Sequence, residues 1–321
     1  MSKDLLVLDQ FSLDVPAGDG RRTLVEDVSL TIAPGEAVGL VGESGSGKSM
    51  TARAVLRLTP PGARLGGRIE FDGSSVLDLS PRELRAVRTR RIAMIFQDPR
   101  AHINPVRSIG DFLTEAMVTH LSVPPRQAHA KAVRLLAEVG ITNGEHRMRQ
   151  YPHELSGGLL QRVMIASVLA VEPDLVLADE PTTALDVTTQ SEVMAILDEL
   201  RTERGMAMLL ITHDLELASA TCDRLAVMYA GRIVEVQSAE ALTEAPRHPY
   251  TAGLMTSRPR LDEAAGRLPV IPGRPVAAFE APQGCAFQPR CAHSGDQCLT
   301  ERPPLRELAG AHVACVRAEE L

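Results

Sequence analysis

The sequence predicts an α/β fold: a mainly parallel sheet covered by helices, with an antiparallel β portion, a helical subdomain and a Cys-rich C-terminal extension. Three observations predict it. Apolar runs of strand length alternate with segments of helical period up to about residue 237. One of those strands runs straight into a glycine-rich turn that opens a helix. Beyond that point the chain becomes rich in proline, arginine and cysteine, and no helical period continues there.

The first forty residues read as strands and turns. "LLVLDQFSLDV" and "TLVEDVSLTI" alternate apolar and polar positions, "PAGDGRR" and "APGE" break them, and "AVGLVG" is a short buried strand. The helix "KSMTARAVLRL" follows the glycine turn, and 67–77, "GRIEFDGSSVL", reads as a hairpin. "RIAMIFQD" is the next buried strand. Residues 99–160 turn polar and helical, a small helical subdomain. "DLVLADE", the helix "SEVMAILDELRTERG" and "MAMLLITHD" complete the parallel part, with Val193, Ile196, Leu197 and Leu200 on one helix face.

Composition narrows the function classes. A chain of 321 residues with 44% hydrophobic content can bury a full core. A formal charge of -7, 3% aromatic residues and no Trp argue against a broad nucleic-acid surface, so no nucleic-acid partner is expected. The group Arg82, Arg85, Arg88, Arg90 and Arg91 reads as a solvated helix face. "MSKDLLVLDQ" lacks the basic start and apolar run of a signal peptide, and no stretch reaches the roughly 18 to 20 apolar residues of a membrane span. A cytoplasmic protein that meets a membrane through partners is the expectation. Cys222 stands alone, whereas Cys285, Cys291, Cys298 and Cys315 share the tail. In a reducing compartment they are thiols or metal ligands rather than disulfides.

Gly42-Glu43-Ser44-Gly45-Ser46-Gly47-Lys48-Ser49 fits G-x-x-x-x-G-K-[ST], placed after a strand and before a helix. The glycines let backbone N–H groups curl around a phosphate chain at a positive helix end, and Ser49 offers a hydroxyl to Mg²⁺. Only Lys3, Lys48 and Lys131 are lysine among 34 basic residues. A compact ammonium can touch two phosphates as a point charge, where a planar guanidinium is too broad. Such a loop serves kinases, GTPases and ATPases alike. "LVLADE" ends an apolar strand in two carboxylates, Asp179 for magnesium and Glu180 for an attacking water, although a strand-end Asp-Glu by itself can be a solvated turn. His213 ends "MLLITH" and could reach a γ-phosphate. Ser156 can cap a helix that begins with Gly157 and Gly158, which is either a second anion site or simply a capped buried helix.

Taken together these residues resemble the nucleotide-binding subunits of ABC transporters. The phosphate loop, Gln97 after "IAMIF", "LSGG", "LVLADEPT", "ALD" and "ITHD" occur in family order over roughly residues 5–237. The resemblance implies a P-loop NTPase (ABC ATPase) core over 1–237, with ATP held by Gly42 through Met50, including Glu43, Ser44, Gly45 and Ser46. It implies that Gln97 senses Mg²⁺ and couples to membrane subunits, that Asp179 and Ser49 hold magnesium, that Glu180 is the catalytic base and that His213 contacts the γ-phosphate. It implies two head-to-tail cassettes, with Ser156, Gly157 and Gly158 of one facing the phosphate loop of the other and Asp186 bridging them. Leu159 stands where the family usually has glutamine, and Val15, with Phe11 nearby, stands where it usually has an aromatic against adenine.

The tail, 238–321, is similar to the C-terminal extension of oligopeptide and dipeptide importer ATPases, through "RHPYTAGLM", "IPGRP" and "GCAFQPRCAHSGDQC" followed by "HVAC". The resemblance implies an ATPase of a peptide importer, on the cytoplasmic face of the cell membrane. Its implied partners are a related, non-identical ATPase chain, two transmembrane permease subunits and an extracytoplasmic substrate-binding protein. A nickel or other solute importer of the same branch is the alternative. A soluble ABC ATPase of DNA repair or translation would carry insertions or a second cassette that are not seen here, and complete catalytic motifs weigh against a non-hydrolysing module. Cys285, Cys291, Cys298 and Cys315 lack the tight spacing of zinc ribbons or ferredoxins. Sulfur ligation suits Fe–S or zinc, and the resemblance implies a [4Fe–4S] cluster, with Zn²⁺ or free thiols as alternatives.

Overall fold

The computed structural model describes residues 4–183, 185–257 and 270–320. Lys3, and Ala184 of the "ALD" triplet, lie outside the described residues.

Strands β1 (Leu6–Ala17) and β2 (Gly20–Ile32) come first, followed by β3 (Ala37–Val41), which is buried at every residue. After the glycine loop come α1 (Lys48–Val55), β4 (Arg64–Phe71) and β5 (Ser74–Ser75). Helix α2 (Pro81–Arg90) starts at a capping box in which Ser80 and Glu83 satisfy each other's backbone N–H groups, and Pro81 opens the helix where no N–H is needed. Strand β6 (Ile92–Ile95) leads into α3 (Pro99–His102), α4 (Ile109–Thr119), α5 (Pro125–Glu138), α6 (Gly144–Arg147) and α7 (Gly157–Leu169). Then follow β7 (Leu175–Asp179), α8 (Val187–Arg204), β8 (Ala207–Thr212), α9 (Leu215–Thr221), β9 (Arg224–Tyr229) and β10 (Arg232–Ser238). The tail contributes α10 (Ala239–Glu244), α11 (Pro249–Thr256), α12 (Asp296–Thr300), β11 (Arg306–Leu308) and β12 (Ala311–Val313).

The chain divides into two compact units. One holds segments 32–36 and 78–211. In it β6, β7 and β8 pair in parallel, Ile92 opposite Leu175 and Leu175 opposite Ala207. β7 and β8 are buried throughout, as parallel strands covered on both faces require. Helices α4, α5 and α7 bury Leu113, Leu136 and Leu160, each contributing roughly 1.5–3 kcal/mol by leaving water. Gly205, with φ of 64°, ends α8 in the left-handed region. On α2, Arg82, Arg85 and Arg90 are exposed and Arg88 is half-buried, in keeping with a solvated face, while Arg91 pairs with Asp174.

The other unit holds segments 4–31 and 37–77 and the described residues from 212 onward. One sheet runs β2-β1-β4-β5. The expected 67–77 hairpin is only its edge: β5 pairs with β4 at two positions, whereas β4 pairs along β1 from Phe71 opposite Leu6 to Arg64 opposite Asp14. Local alternation made β4 legible as a strand but carried no trace of that distant partner. The second sheet of this unit runs β11-β12-β10-β9-β3. β3 and β9 are parallel, and β10 pairs antiparallel with β9 and with β12, placing Glu235 opposite Val313. The tail is therefore more ordered than its sequence suggested. Its strands and helices are each too short to show a period.

Beneath that sheet lies a buried polar knot. The Glu235 carboxylate accepts from the backbone N–H groups of Arg247 at 2.6 Å and His248 at 3.0 Å, and burial pushes its carboxyl above the usual range. His248 caps α11, its Nδ1 accepting from the Tyr250 N–H at 3.0 Å. Burial holds the imidazole down to about 4. The folded protein keeps His248 neutral, so between pH 6.5 and 4 the unfolded chain binds the extra proton and stability falls as pH falls, by about 3 kcal/mol over the window. Glu235 acts in the opposite sense, since acid relieves the cost of burying its charge. A His248→Asn variant keeps a capping acceptor and loses only the histidine contribution. Denaturant unfolding from pH 7 to 4.5 is expected to show it losing less stability than the unsubstituted chain. Parallel curves would refute the assignment.

Candidate functional site

Beyond β3 the chain turns through Gly42 at φ 151°, where a Cβ would lie 2.1 Å from the Met228 carbonyl oxygen. Gly47, at φ 106°, is as tightly enclosed, with Met228 Cε at 2.8 Å and Leu24 O at 3.0 Å from its missing Cβ. Glycine at both positions lets the loop press against β9, and the Gly231 N–H donates to Ser46 O at 3.0 Å to hold it there. Lys48 is 5% exposed. Its Nζ donates to Gly42 O at 2.7 Å, Glu43 O at 2.9 Å and Ser46 Oγ at 3.4 Å. Three converging acceptors match the three donors of a compact ammonium better than the spread donors of a planar fork. Ser44 and Gly45 are exposed, and Ser49 and Met50 are half-buried in the first turn of α1. No side chain caps that helix and no acidic residue occupies its first turn, so its positive end faces the loop.

The loop is also held from the tail. The Glu43 N–H donates to Tyr250 Oη at 2.9 Å. The Arg290 guanidinium forks onto the Glu43 carboxylate, Nη1 to Oε2 at 2.6 Å and Nη2 to Oε1 at 3.0 Å. Sequence reasoning missed both residues, although each stands inside a quoted tail segment, "RHPYT" and "FQPRC".

In the other unit, Asp179 ends β7 and is fully buried. Glu180 follows at φ 46°, a left-handed conformation unusual for glutamate, fixed by its N–H donating to Ile211 O at 2.9 Å. Its Oε2 accepts from Gln97 Nε2 at 2.8 Å and from Thr183 Oγ1 at 2.7 Å. The structure thus brings Gln97 and Glu180 together and adds Thr183, which sequence reasoning missed; a hydroxyl three residues after a strand-end carboxylate was the available signal. Ser156 caps α7 by accepting from the Leu159 N–H at 3.4 Å, and it is exposed. A Cβ on Gly158 would meet Thr189 Cγ2 at 2.8 Å, whereas one on Gly157 meets nothing within 4 Å. Asp186 caps α8, and the Thr189 N–H, then its hydroxyl, hold the Asp186 carboxyl below the usual range. His213, directly after β8, is exposed. Val15 is half-buried on β1, and Phe11 is fully buried and so presents no face to a base.

Residues 25–183 match the family described as ABC transporter, and 234–298 match the oligopeptide/dipeptide transporter C-terminal region. The chain is 42% identical over 317 residues to the oligopeptide transport ATP-binding protein OppD of Salmonella typhimurium, covering 98% of this chain and 94% of that one. It belongs to the ABC transporter family of ATP-binding proteins. To OppD of Escherichia coli the identity is 43%, over 94% of this chain and 90% of the relative. Among solved structures, the dimeric ABC transporter cassette MJ0796 superposes with a TM-score of 0.66 at 27% identity, over 73% of this chain and 98% of that one. The cbiO1 cassette of Clostridium perfringens gives 0.65 at 28% identity, over 76% and 92%. The ABC ATPase fold expected from the motifs is thereby established.

The Cys-rich extension of this family member behaves differently from the metal centre expected of it. Cys285, Cys291, Cys298 and Cys315 do converge, lining one cavity of ≈ 20 Å³ together with His248 and Phe287, a space about one water in size. Yet among the described residues no three His, Cys, Asp or Glu side chains form a group that could hold a metal ion. None of the five cysteines forms a disulfide, and burial pushes Cys285 up to about 11 and raises Cys291 and Cys315 as well. Neither the [4Fe–4S] cluster nor the zinc alternative finds a formed ligand set among the described residues.

Proposed function

We propose that this chain is the ATP-hydrolysing subunit of an ABC importer that drives uptake of oligopeptides or dipeptides. The observation that carries it is the likeness, along nearly the whole chain from phosphate loop to tail, to oligopeptide transport ATP-binding proteins. The nucleotide-binding domain spans 1–237, with its helical subdomain over about 99–160, and 238–321 is the transporter-type extension. Gly42 to Met50 hold the phosphates of ATP, and Val15 packs against the adenine. Ser49, Gln97 and Asp179 would hold magnesium, which when bound would supply charge neutralisation to the phosphates. Glu180 takes the proton of the attacking water, and His213 contacts the γ-phosphate.

Ser156, Gly157 and Gly158 receive the nucleotide of a second cassette, with Asp186 at the same junction. The open space over Gly157 supports this role, since the fold of this chain does not itself demand a bare backbone there. The partners are a related ATPase chain, two permease subunits and an extracytoplasmic binding protein, and the chain sits on the cytoplasmic face of the membrane through the permeases. No helix among the described residues is long and apolar enough to cross a membrane.

Proteoliposomes holding the subunits that co-purify with this chain from detergent-solubilised membranes test the proposal. The expected result is uptake of a labelled oligopeptide that requires MgATP. Failure to co-purify membrane subunits, with ATPase activity stimulated instead by DNA or ribosomes, would overturn it.

A further inference from the structure

Arg290 is 6% exposed. Besides the fork onto Glu43, its Nε donates to Pro272 O at 2.8 Å and Nη1 lies 3.5 Å from Tyr229 Oη. Tyr250 is fully buried among Tyr229, Phe287 and His248, and burial pushes its phenol up, so the hydroxyl stays protonated. Two separate tail segments, "FQPRC" and "RHPYT", therefore close on a single residue of the phosphate loop, and a third, "IPGRP", braces Arg290 through the Pro272 carbonyl. Glu43 is fixed at its main chain by a residue 207 positions away and at its side chain by one 247 positions away. The carbonyl oxygen of that same Glu43 accepts from Lys48 Nζ at 2.9 Å, and so does the carbonyl of Gly42 beside it.

We infer that Arg290 and Tyr250 are positioning residues for nucleotide binding: through Glu43 they set the curvature of the phosphate loop and the aim of the Lys48 ammonium. The inference rests on the assignment of that loop to ATP. A bidentate arginine–carboxylate pair is directional as well as charged, so it fixes the orientation of the group it holds. A fork buried on the arginine side cannot be lost without leaving a charge unpaired. Both residues act through Glu43. Their effect falls on affinity, whereas turnover at saturating ATP depends on Glu180 and stays within about twofold.

Binding of a fluorescent ATP analogue and phosphate release by the full chain test this. For Arg290→Met the Kd is expected to rise about tenfold with kcat little changed. Arg290→Lys keeps the charge without the fork and should fall between the two. Glu43→Gln with Arg290→Met should be no worse than Arg290→Met alone, because both act through one contact. Tyr250→Phe removes a single oxygen and should raise the Kd a few-fold, which serves should Arg290→Met not fold. Unchanged Kd in both Arg290→Met and Tyr250→Phe overturns the inference, and so does full additivity in the pair. Lys48→Ala separates the two levels. Binding lost in Lys48→Ala but intact in the tail variants sinks this inference alone, whereas binding intact in Lys48→Ala sinks the ATP site and the inference with it.

Discussion

Glu180→Gln is expected to bind ATP as tightly as the unsubstituted chain and to hydrolyse it roughly 10²–10⁴-fold more slowly. The substitution is close to silent in structure. The Glu180 Oε2 accepts from Gln97 and Thr183, and a glutamine carbonyl can accept both. The backbone at φ 46° is fixed by the bond to Ile211 O, which the side chain does not touch. What disappears is the negative charge and basicity at the oxygen that would take a proton from water. Phosphate release at saturating ATP, set beside binding of the same nucleotide, separates these effects. Turnover that survives intact would remove Glu180 from the role of base.

Lys48→Ala should act one step earlier. The ammonium ties together Gly42 O, Glu43 O and Ser46 Oγ at 5% exposure, and in the proposed site it is the lysine that meets the phosphates of ATP. Truncation removes the donor and leaves three loop oxygens without it. Charge-assisted hydrogen bonds contribute about 1.5–3 kcal/mol each, so affinity is expected to fall by roughly 100-fold. Lys48→Arg should be nearly as damaging, since a planar fork cannot reproduce the convergence of one ammonium on Gly42 O, Glu43 O and Ser46 Oγ. Equilibrium binding of ATP measures both. An arginine variant that binds normally would show that charge alone, rather than the shape of the ammonium, is what position 48 supplies.

Much of the site could be read before folding because its parts are local. The phosphate loop needs a strand, glycines at fixed offsets and a helix start, all within a dozen residues. Ser156 caps its helix with a contact three residues along, which sequence spacing encodes directly. Gln97 and Glu180 were each legible at the end of an apolar run, but nothing in the sequence said that they would share a hydrogen bond across 83 positions. The cysteines carried the opposite lesson. Their expected convergence is present, but among the described residues it surrounds a water-sized void rather than a ligand set.

By itself the sequence determined the nucleotide loop, the carboxylates, the Ser156 cap and the buried parallel strands, because each rests on neighbours along the chain and on the periods of strand and helix. Only the tertiary structure decided that β12 extends the sheet at β10, that β4 belongs with β1, and that Arg290 and Tyr250 grip Glu43. Those contacts join residues dozens to hundreds of positions apart. No local preference encodes such a pairing, which exists only once burial of apolar surface has brought the distant segments into reach of one another.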